Sequence, residues 1–328
     1  MDAAPPVELC RGERTCAIGL DVGGSKIAAG IVTPAGHVFL RRIVPTCAER
    51  PGEDVLADVV GLAEELAEEV GRLGLELLGV GVGVAELVDP LGKITSAHTI
   101  RWRELSIRER FAHLGRVVVE ADVRAAALAE ACYGAGRAFR LWAYVTVGTG
   151  ISCCLIQDGQ PYAGARGNAL VLGSGPLSAR CTVCGAEIES ILEDVASGPA
   201  LVARYNQRGT GRAQRGEDVM AALDAGDPWA VEVVRTAGEA LGNSVGLLVN
   251  VLDPEAVIVG GGLGHGGGLY WSSFVDATRR HIWADATRQI PILPAALGND
   301  AGLIGAAAQV WQRGVASGEW GGGVFTGG

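Results

Sequence analysis

The sequence predicts a two-lobed α/β protein with a binding cleft between the lobes. A strand pattern followed by a glycine-rich hairpin turn occurs twice, about half the chain apart. The first turn is Asp21-Val-Gly-Gly-Ser-Lys26, and the second is Thr146-Val-Gly-Thr-Gly150. Glycine has no Cβ, so such a turn can bring backbone N–H groups close to an anion. Two matched turns, one in each half, predict lobes that hold the two ends of a polyphosphate.

The first half of the chain alternates strand and helix patterns. Apolar runs bounded by turn residues predict strands, and apolar residues at helical spacing predict helices. The predicted strands are Cys16–Leu20, Lys26–Val32, His37–Val44, Leu77–Val84 and Val117–Glu120, and the predicted helices are Asp54–Leu73 and Val123–Tyr133.

The second half begins with the same strand–turn–strand pattern and continues with longer helical patterns. The predicted strands are Leu141–Val147, Ile151–Gln157 and Ala256–Gly262, and the predicted helices are Glu187–Ala196, Glu217–Ala225, Trp229–Val251 and Gly298–Arg313. Repeated hairpin and βαβ halves are typical of layered α/β domains. We therefore expect an N-terminal lobe of residues 1–121 completed by a C-terminal helix at 299–315, a C-terminal lobe of residues 122–298, and a disordered glycine-rich tail at 316–328.

Composition excludes several classes of function. A chain of 328 residues is long enough for two hydrophobic cores, and its 48% hydrophobic and 20% charged residues are typical of globular proteins. The net charge of −10 argues against a nucleic-acid surface. No signal peptide is evident, and no apolar run reaches the roughly 18 residues of a membrane span. We expect a cytoplasmic protein without a membrane partner, whose eight cysteines are thiols or metal ligands.

Two aspartates follow predicted strands in the first half. Asp21 lies beside the first glycine turn, where a carboxylate suits a water-mediated contact with Mg²⁺ on nucleotide phosphates. Asp122 lies at a strand-to-helix junction, where it can accept the proton of an attacking hydroxyl. The alternatives are a simple hairpin turn for the first motif and a helix N-cap for Asp122.

A third glycine motif, Gly260-Gly-Gly262, follows the strand pattern that begins at Ala256, and its backbone could lie flat against an adenine and ribose. The run Gly262–Gly267 also matches the dinucleotide fingerprint G-x-G-x-x-G. That match leaves a nicotinamide oxidoreductase as an alternative, but no acidic partner on a following strand supports it.

With these motifs the chain resembles the ROK family of bacterial sugar kinases and their repressor relatives, from Cys16 to about Arg313. The motifs that carry the resemblance are Asp21-Val-Gly-Gly-Ser-Lys26, Asp122 with Ala125-Ala-Ala-Leu-Ala-Glu130, Thr146-Val-Gly-Thr-Gly150, Glu193 with Ala196-Ser-Gly-Pro199, Asp253-Pro-Glu255 with Val257–Gly262, and Asn299-Asp-Ala-Gly-Leu-Ile-Gly305.

The resemblance implies an actin/hexokinase-like, ribonuclease H-like ATPase fold and an ATP- and Mg²⁺-dependent kinase that forms homodimers or homotetramers. Asp122 would be the catalytic base, and Asp21 would hold Mg²⁺ indirectly. The ATP-binding residues would be Asp21, Gly23, Gly24, Ser25, Lys26, Gly148, Thr149, Gly150, Gly260, Gly261 and Gly262. The family's repressors carry an N-terminal helix-turn-helix, and none is evident before the first strand here, which favours a kinase.

The acceptor pocket departs from the family pattern. Ala121 stands where the family has Asn, and Ala85-Glu86 where it has Pro-Gly. The family run Gly-Glu-x-Gly-His aligns with Leu170–Ser174, so its Glu and His are replaced by Val171 and Ser174. The residues expected to contact the acceptor are Glu86, Ala121, Asp122, Asn168, Val171, Ser174 and Glu193.

Losing hydroxyl partners from a buried polar site should cost a glucose-like ligand about 1–3 kcal/mol per unpaired group. The resemblance therefore implies a kinase for a primary hydroxyl of a hexose or hexose-like cyclitol other than plain glucose. The alternative is a non-catalytic regulator that senses a sugar or nucleotide.

The family's zinc site is also altered. Its His position is Ser174, and of its cysteine motif only Cys181 and Cys184 remain recognisable. A complete tetrahedral site needs four ligands. We expect no structural zinc.

Overall fold

The computed structural model describes residues 14–180, 183–185, 187–208 and 212–316. The chain divides into two compact units. Unit 1 comprises the described residues within Met1–Tyr133, Ala163–Asn168 and Asp300–Gly328, and unit 2 those within Gly134–Tyr162 and Ala169–Asn299. The helix that begins at Asp122 thus lies with unit 1, whereas the predicted boundary falls at residue 121.

Unit 1 is built on a five-stranded sheet in the order β3-β2-β1-β4-β5. The strands β1, β2 and β3 form an antiparallel meander, and β4 and β5 extend the sheet parallel to β1. The elements of this unit are β1 (Thr15–Val22), β2 (Lys26–Val32), β3 (Val38–Pro45), α1 (Gly52–Arg72), β4 (Glu76–Val84), α2 (Ile107–Arg110), β5 (Arg116–Ala121), α3 (Asp122–Tyr133) and the last helix, numbered α9 below (Ala301–Ala316).

Helix α1 forms because its apolar residues recur at helical spacing. Val55, Val59, Ala63, Leu66 and Val70 are all buried and face the sheet core. Acidic residues occupy its first turn and Arg72 its last, as the helix dipole favours.

Unit 2 contains a second five-stranded sheet in the order β12-β11-β6-β7-β8 and a two-stranded ribbon of β10 and β9. Its elements are β6 (Leu141–Val147), β7 (Ile151–Gln157), β8 (Gln160–Pro161), β9 (Pro176–Arg180), β10 (Glu187–Ile191), α4 (Glu193–Ala196), α5 (Gly198–Asn206), α6 (Gly216–Asp224), α7 (Pro228–Leu252), β11 (Ala256–Gly260), α8 (Gly268–His281) and β12 (Ile292–Pro294).

The two large sheets share one topology. In unit 1 the hairpin β1–β2 continues into the parallel strands β4 and β5, and in unit 2 the hairpin β6–β7 continues into the parallel strands β11 and β12. The repeated hairpin of the sequence is therefore a repeated sheet. Each glycine turn connects the two antiparallel strands at the start of its unit.

One sequence prediction is wrong. The predicted helix Glu187–Ala196 is the strand β10 followed by the short helix α4. The strand pairs with β9, a partner that helical spacing within the segment cannot indicate. The predicted helix Trp229–Val251 is confirmed as α7, with Asp227 accepting bonds at its N-cap.

The predicted disordered tail lies outside the described residues from position 317 onward. In the described ranges, no helix is both long and apolar enough to cross a membrane.

Candidate active site

Three carboxylates of unit 1 lie near the ends of neighbouring parallel strands. Asp21 is the penultimate residue of β1, Glu86 follows β4 by two residues, and Asp122 directly follows β5. The pairing of Asp21 with Gly83 and of Val84 with Ala121 sets these strand ends side by side. In parallel sheets this edge is where ligands bind.

The turn after β1 is held in place by Thr46. The backbone N–H of Gly23 donates to Lys26 O at 3.0 Å, and the Thr46 hydroxyl donates to Gly23 O at 2.6 Å. Ser25 and Lys26 are exposed at its tip. The turn therefore presents a hydroxyl and one cation to solvent, two groups that can contact a phosphate.

Asp21 is a half-buried carboxylate packed against the first turn of α9. A Cβ on Gly302 would lie 2.3 Å from Asp21 Oδ2, so only glycine fits there. Burial raises the pKa of Asp21 to about 6, and the charge of Lys26 opposes this shift. A carboxylate that costs this much to ionise gains from a nearby cation, so its chemistry fits an indirect contact with Mg²⁺.

Asp122 is the first residue of α3, and its Oδ1 accepts the N–H of Val123 at 2.6 Å. Burial, together with the charges of Asp21 and Glu86, raises its pKa to about 7. The Val123 N–H and the Arg124 guanidinium act in the opposite direction. A carboxylate whose pKa lies near neutrality can accept a proton from a hydroxyl, as the catalytic prediction requires.

Glu86 is buried, and a cradle of donors surrounds its carboxylate. The hydroxyl of Ser96 donates to Oε2, and the backbone N–H groups of His98, Thr99 and Ile100 donate at 3.0, 2.5 and 2.7 Å. The predicted role of Glu86 as an acceptor ligand stays a prediction, but both of its oxygens are already engaged by protein donors.

Arg124 is a site residue that the sequence analysis missed. Its guanidinium forms a buried ion pair with Glu120 and donates to Val88 O at 2.5 Å and Gly167 O at 2.8 Å. It thus ties the end of β5 to the loop after β4 and to the segment that carries Asn168, whose own side chain is exposed. The signal was an arginine two residues after Asp122, in the predicted helix Val123–Tyr133.

In unit 2 the second and third glycine motifs lie side by side. A Cβ on Gly148 would lie 3.9 Å from Gly262 N, and the N–H of Leu263 donates to Val147 O at 3.1 Å. Gly261 has φ +82°, and a Cβ there would lie 2.3 Å from Val147 O. Both motifs, predicted to bind phosphate and adenosine, thus share one backbone platform.

The N-terminus of α5 also meets this platform, since the N–H of Gly198 donates to Gly148 O at 2.9 Å. Ser197 is the N-cap and accepts the N–H of Ala200 at 3.3 Å.

Glu193 lies against the second phosphate turn. Its Oε2 accepts the N–H of Ile151 at 2.7 Å. Cβ atoms on Gly150 and Gly173 would lie 2.8 and 3.0 Å from the same oxygen. Glycine at both positions therefore makes room for this carboxylate. The acceptor contact predicted for Glu193 stays a prediction.

The chain is similar to known proteins over most of its length. The ROK family model matches residues 17–313. The chain is 32% identical to a glucokinase of Streptomyces coelicolor over 310 residues, which cover 88% of this chain and 96% of that glucokinase. The structure of a ROK family glucokinase from Streptomyces griseus in complex with glucose and AMPPNP aligns with a TM-score of 0.77 at 30% identity, covering 90% and 99% of the two chains.

The chain belongs to the ROK family. These similarities confirm the predicted actin/hexokinase-like α/β fold and the predicted activity of an ATP-dependent carbohydrate kinase. A kanosamine kinase of Amycolatopsis mediterranei is also similar, with 29% identity over 307 residues that cover 89% of this chain and 94% of that kinase. These similarities do not favour the non-catalytic regulator.

In the segment Leu170–Ser174, Val171 and Ser174 stand where the family pattern has Glu and His. Residues Leu172–Ser174 of this segment form a short 3₁₀ turn. Val171 is 49% exposed, and the Ser174 hydroxyl donates to Val171 O at 3.1 Å. Leu170 has φ +60°, a backbone conformation that favours glycine, which the family has at this position. The backbone path thus suits the family residue although the side chain differs.

The remnant of the ROK zinc motif is only partly visible. Cys181 lies outside the described residues, and Cys184 is exposed. Within the described ranges, no group of three or more His, Cys, Asp or Glu side chains could hold a metal ion.

Proposed function

We propose that this ROK kinase transfers the γ-phosphate of ATP to a hydroxyl, most naturally a primary one, of a hexose or hexose-like cyclitol other than plain glucose. The observation that carries this proposal is the pair Val171 and Ser174. Where the family has a Glu and a His, this chain presents a half-exposed aliphatic side chain and a short hydroxyl that donates to the backbone carbonyl of Val171. An acceptor that offers fewer hydroxyl groups at this edge would suit such a surface.

The carboxylates of unit 1 and the glycine turns of both units would divide the steps of phosphate transfer. Asp122 would take the proton of the attacking hydroxyl, because its raised pKa suits a general base near neutral pH. The turn Gly23–Lys26 and the turn Gly148–Gly150 would bind phosphate oxygens, and Gly260–Gly262 would bind adenosine. Mg²⁺, when bound, would neutralise phosphate charge, and Asp21 would hold its water shell.

The similarity to a kanosamine kinase supports an unusual acceptor. That relative is named for an amino sugar, whereas the Streptomyces coelicolor relative is named for glucose. An amino sugar, an N-acetylated hexosamine and a C7-cyclitol each change the pattern of polar groups around the ring. The proposal covers this class.

The deciding experiment is ADP release by the purified protein with Mg·ATP and a panel of hexoses, amino sugars, N-acetylhexosamines and C7-cyclitols. We expect turnover on a compound other than glucose, with glucose a poor acceptor. Asp122→Asn, run in parallel, should abolish it. Glucose as the best acceptor of the panel would contradict the proposal.

A second experiment restores the family residues. The double variant Val171→Glu, Ser174→His should raise kcat/KM for glucose by about tenfold or more, since each regained hydrogen bond is worth about 1–3 kcal/mol. The matched control is Val251→Glu, Ser272→His, which makes the same substitutions at exposed positions of α7 and α8. A double variant whose glucose activity equals that of the control would show that these positions do not decide the acceptor.

A further inference from the structure

The loop at residues 96–100 is organised around the carboxylate of Glu86. Three consecutive backbone N–H groups, those of His98, Thr99 and Ile100, point at this carboxylate. Successive N–H groups that converge in this way form an anion-binding nest, and here the anion is a side chain of the same unit. Ser96 completes the cradle, because its hydroxyl donates to Glu86 and accepts the N–H of Leu87 at 2.8 Å.

This cradle leaves Glu86 no capacity for a ligand. A carboxylate offers about four acceptor positions, and four donors already fill those of Glu86. The side chain is only 6% exposed. No salt bridge to Glu86 occurs among the described residues, so these hydrogen bonds alone compensate its buried charge.

The loop in turn touches the first phosphate turn. A Cβ on Gly24 would lie 2.7 Å from Thr99 Cγ2, so the Thr99 methyl group occupies the space beside Gly24. The same turn is also fixed by Thr46, whose hydroxyl donates to Gly23 O. Both Thr46 and the loop that Glu86 anchors therefore contact this turn.

We propose that Glu86 is a positioning residue, which fixes the 96–100 loop against Gly24 and so preorganises the first phosphate turn for ATP. This inference rests on the proposed phosphate role of the turn Gly23–Lys26. A preorganised donor site costs no rearrangement when charge arrives, whereas a misplacement of about 1 Å can cost about 10²-fold in rate. Glu86 acts through the loop and does not touch the acceptor.

The test uses the full chain with Glu86→Gln, Glu86→Ala and the control Glu64→Gln. Glutamine keeps the shape and one acceptor oxygen, but its amide NH₂ faces N–H donors. Glu64 is an exposed carboxylate of α1 whose removal changes the charge of unit 1 equally without touching the loop. The readouts are hydrogen exchange of the amides at 98–100 and calorimetric affinity for Mg·AMPPNP, neither of which needs a known acceptor.

We expect Glu86→Gln to lose amide protection at 98–100 and to bind AMPPNP about tenfold more weakly, with Glu86→Ala weaker still and Glu64→Gln unchanged. Where the parent turns over an acceptor, the KM for ATP should rise while the KM for that acceptor stays constant. If Glu86→Ala does not fold, Glu86→Gln alone decides.

Unchanged AMPPNP affinity in Glu86→Gln would overturn the inference, and so would a raised acceptor KM with intact protection at 98–100. A Lys26→Ala variant separates this result from the underlying proposal. If Lys26→Ala weakens AMPPNP binding and Glu86→Gln does not, only the role of Glu86 fails. If Lys26→Ala binds normally, the phosphate role of the turn is contradicted as well.

Discussion

Unit 1 and unit 2 share a sheet topology, but the ends of their strands carry different chemistry. In unit 1 the strand ends gather the carboxylates Asp21, Glu86 and Asp122. Burial raises the pKa values of Asp21 and Asp122, and the charges of Asp21 and Glu86 add to the rise at Asp122. In unit 2 the corresponding turns present glycine backbone at Gly148, Gly150 and Gly261. Under the proposed function, one sheet would supply the carboxylate that accepts the proton, and the other would supply the backbone turns that bind the nucleotide.

The largest effect that this comparison predicts is at Asp122. Asp122→Asn keeps the shape of the side chain but cannot accept a proton, so kcat should fall by about 10³-fold with any acceptor that the parent phosphorylates. The measurement is ADP release under saturating Mg·ATP. Asp276→Asn, an exposed aspartate of α8, is the control and should keep the parental rate. A loss smaller than about tenfold would remove Asp122 from the role of base.

The contacts of Arg124 and Glu86 could not be read from the sequence. The repeated hairpins could, because glycine turns and apolar periodicity are local patterns. The two carbonyl groups that accept from Arg124, by contrast, lie 36 and 43 residues away in the chain, and the partners of Glu86 lie 10 to 14 residues away. The wrong prediction at β10 has the same cause, because that strand is defined by its pairing with β9.

Arg124 tests whether unit 1 depends on its charges for stability as well as for chemistry. Arg124→Met fills a similar volume but leaves Glu120 without its buried partner and two carbonyl groups without donors. We expect a loss of about 3–5 kcal/mol in the free energy of unfolding, measured by urea denaturation. Arg72→Met removes the solvent-exposed Arg72 from its ion pairs with Glu68 and Glu69 in α1 and should cost less than about 0.5 kcal/mol. Equal losses in the two variants would contradict a supporting role for the buried pair.

Gly261 provides the matching test of the backbone platform in unit 2. Gly261→Ala would place a Cβ 2.3 Å from Val147 O at a positive φ, which should destabilise the protein by about 2 kcal/mol. At Gly262 nothing lies within 4 Å of an added Cβ, so Gly262→Ala should leave the free energy of unfolding within about 0.5 kcal/mol of the parent. Thermal denaturation of Gly261→Ala and Gly262→Ala measures how much an added Cβ costs where φ is positive and the space is filled, and where the space is open. If both behave alike, the positive φ of Gly261 does not constrain the platform.

The raised pKa of Asp122 predicts a pH dependence with a definite sign. The folded state holds a proton up to about pH 7, whereas the ordinary pKa is 3.8, so this group loses its stabilising contribution as pH rises through that interval. Asp122→Asn should therefore gain stability relative to the parent between pH 5 and pH 8, by about 1–2 kcal/mol after allowance for solvent screening. Urea denaturation of both proteins at the two pH values measures this difference. A constant difference would mean that burial and the neighbouring charges do not raise the pKa of Asp122.

The smallest expected effect concerns Leu170, where unit 2 carries a side chain on a backbone that favours glycine. Leu170 has φ +60°, which costs a non-glycine residue about 1–2 kcal/mol. Leu170→Ala keeps that strain and loses packing, whereas Leu170→Gly loses the packing but relieves the strain. Relief of the strain is partly offset by the chain entropy of glycine, about 0.5–1 kcal/mol, so the Gly variant should be more stable than the Ala variant by about 0.5–1 kcal/mol.

The control is Gly61 in α1, which is exposed and has open space around an added Cβ. There the order should be opposite, because Gly61→Ala should stabilise the helix by about 0.8 kcal/mol. If Leu170→Ala is as stable as Leu170→Gly, the backbone at residue 170 has shifted to relieve its strain. The positive φ beside Val171 would then not be a fixed feature of this segment.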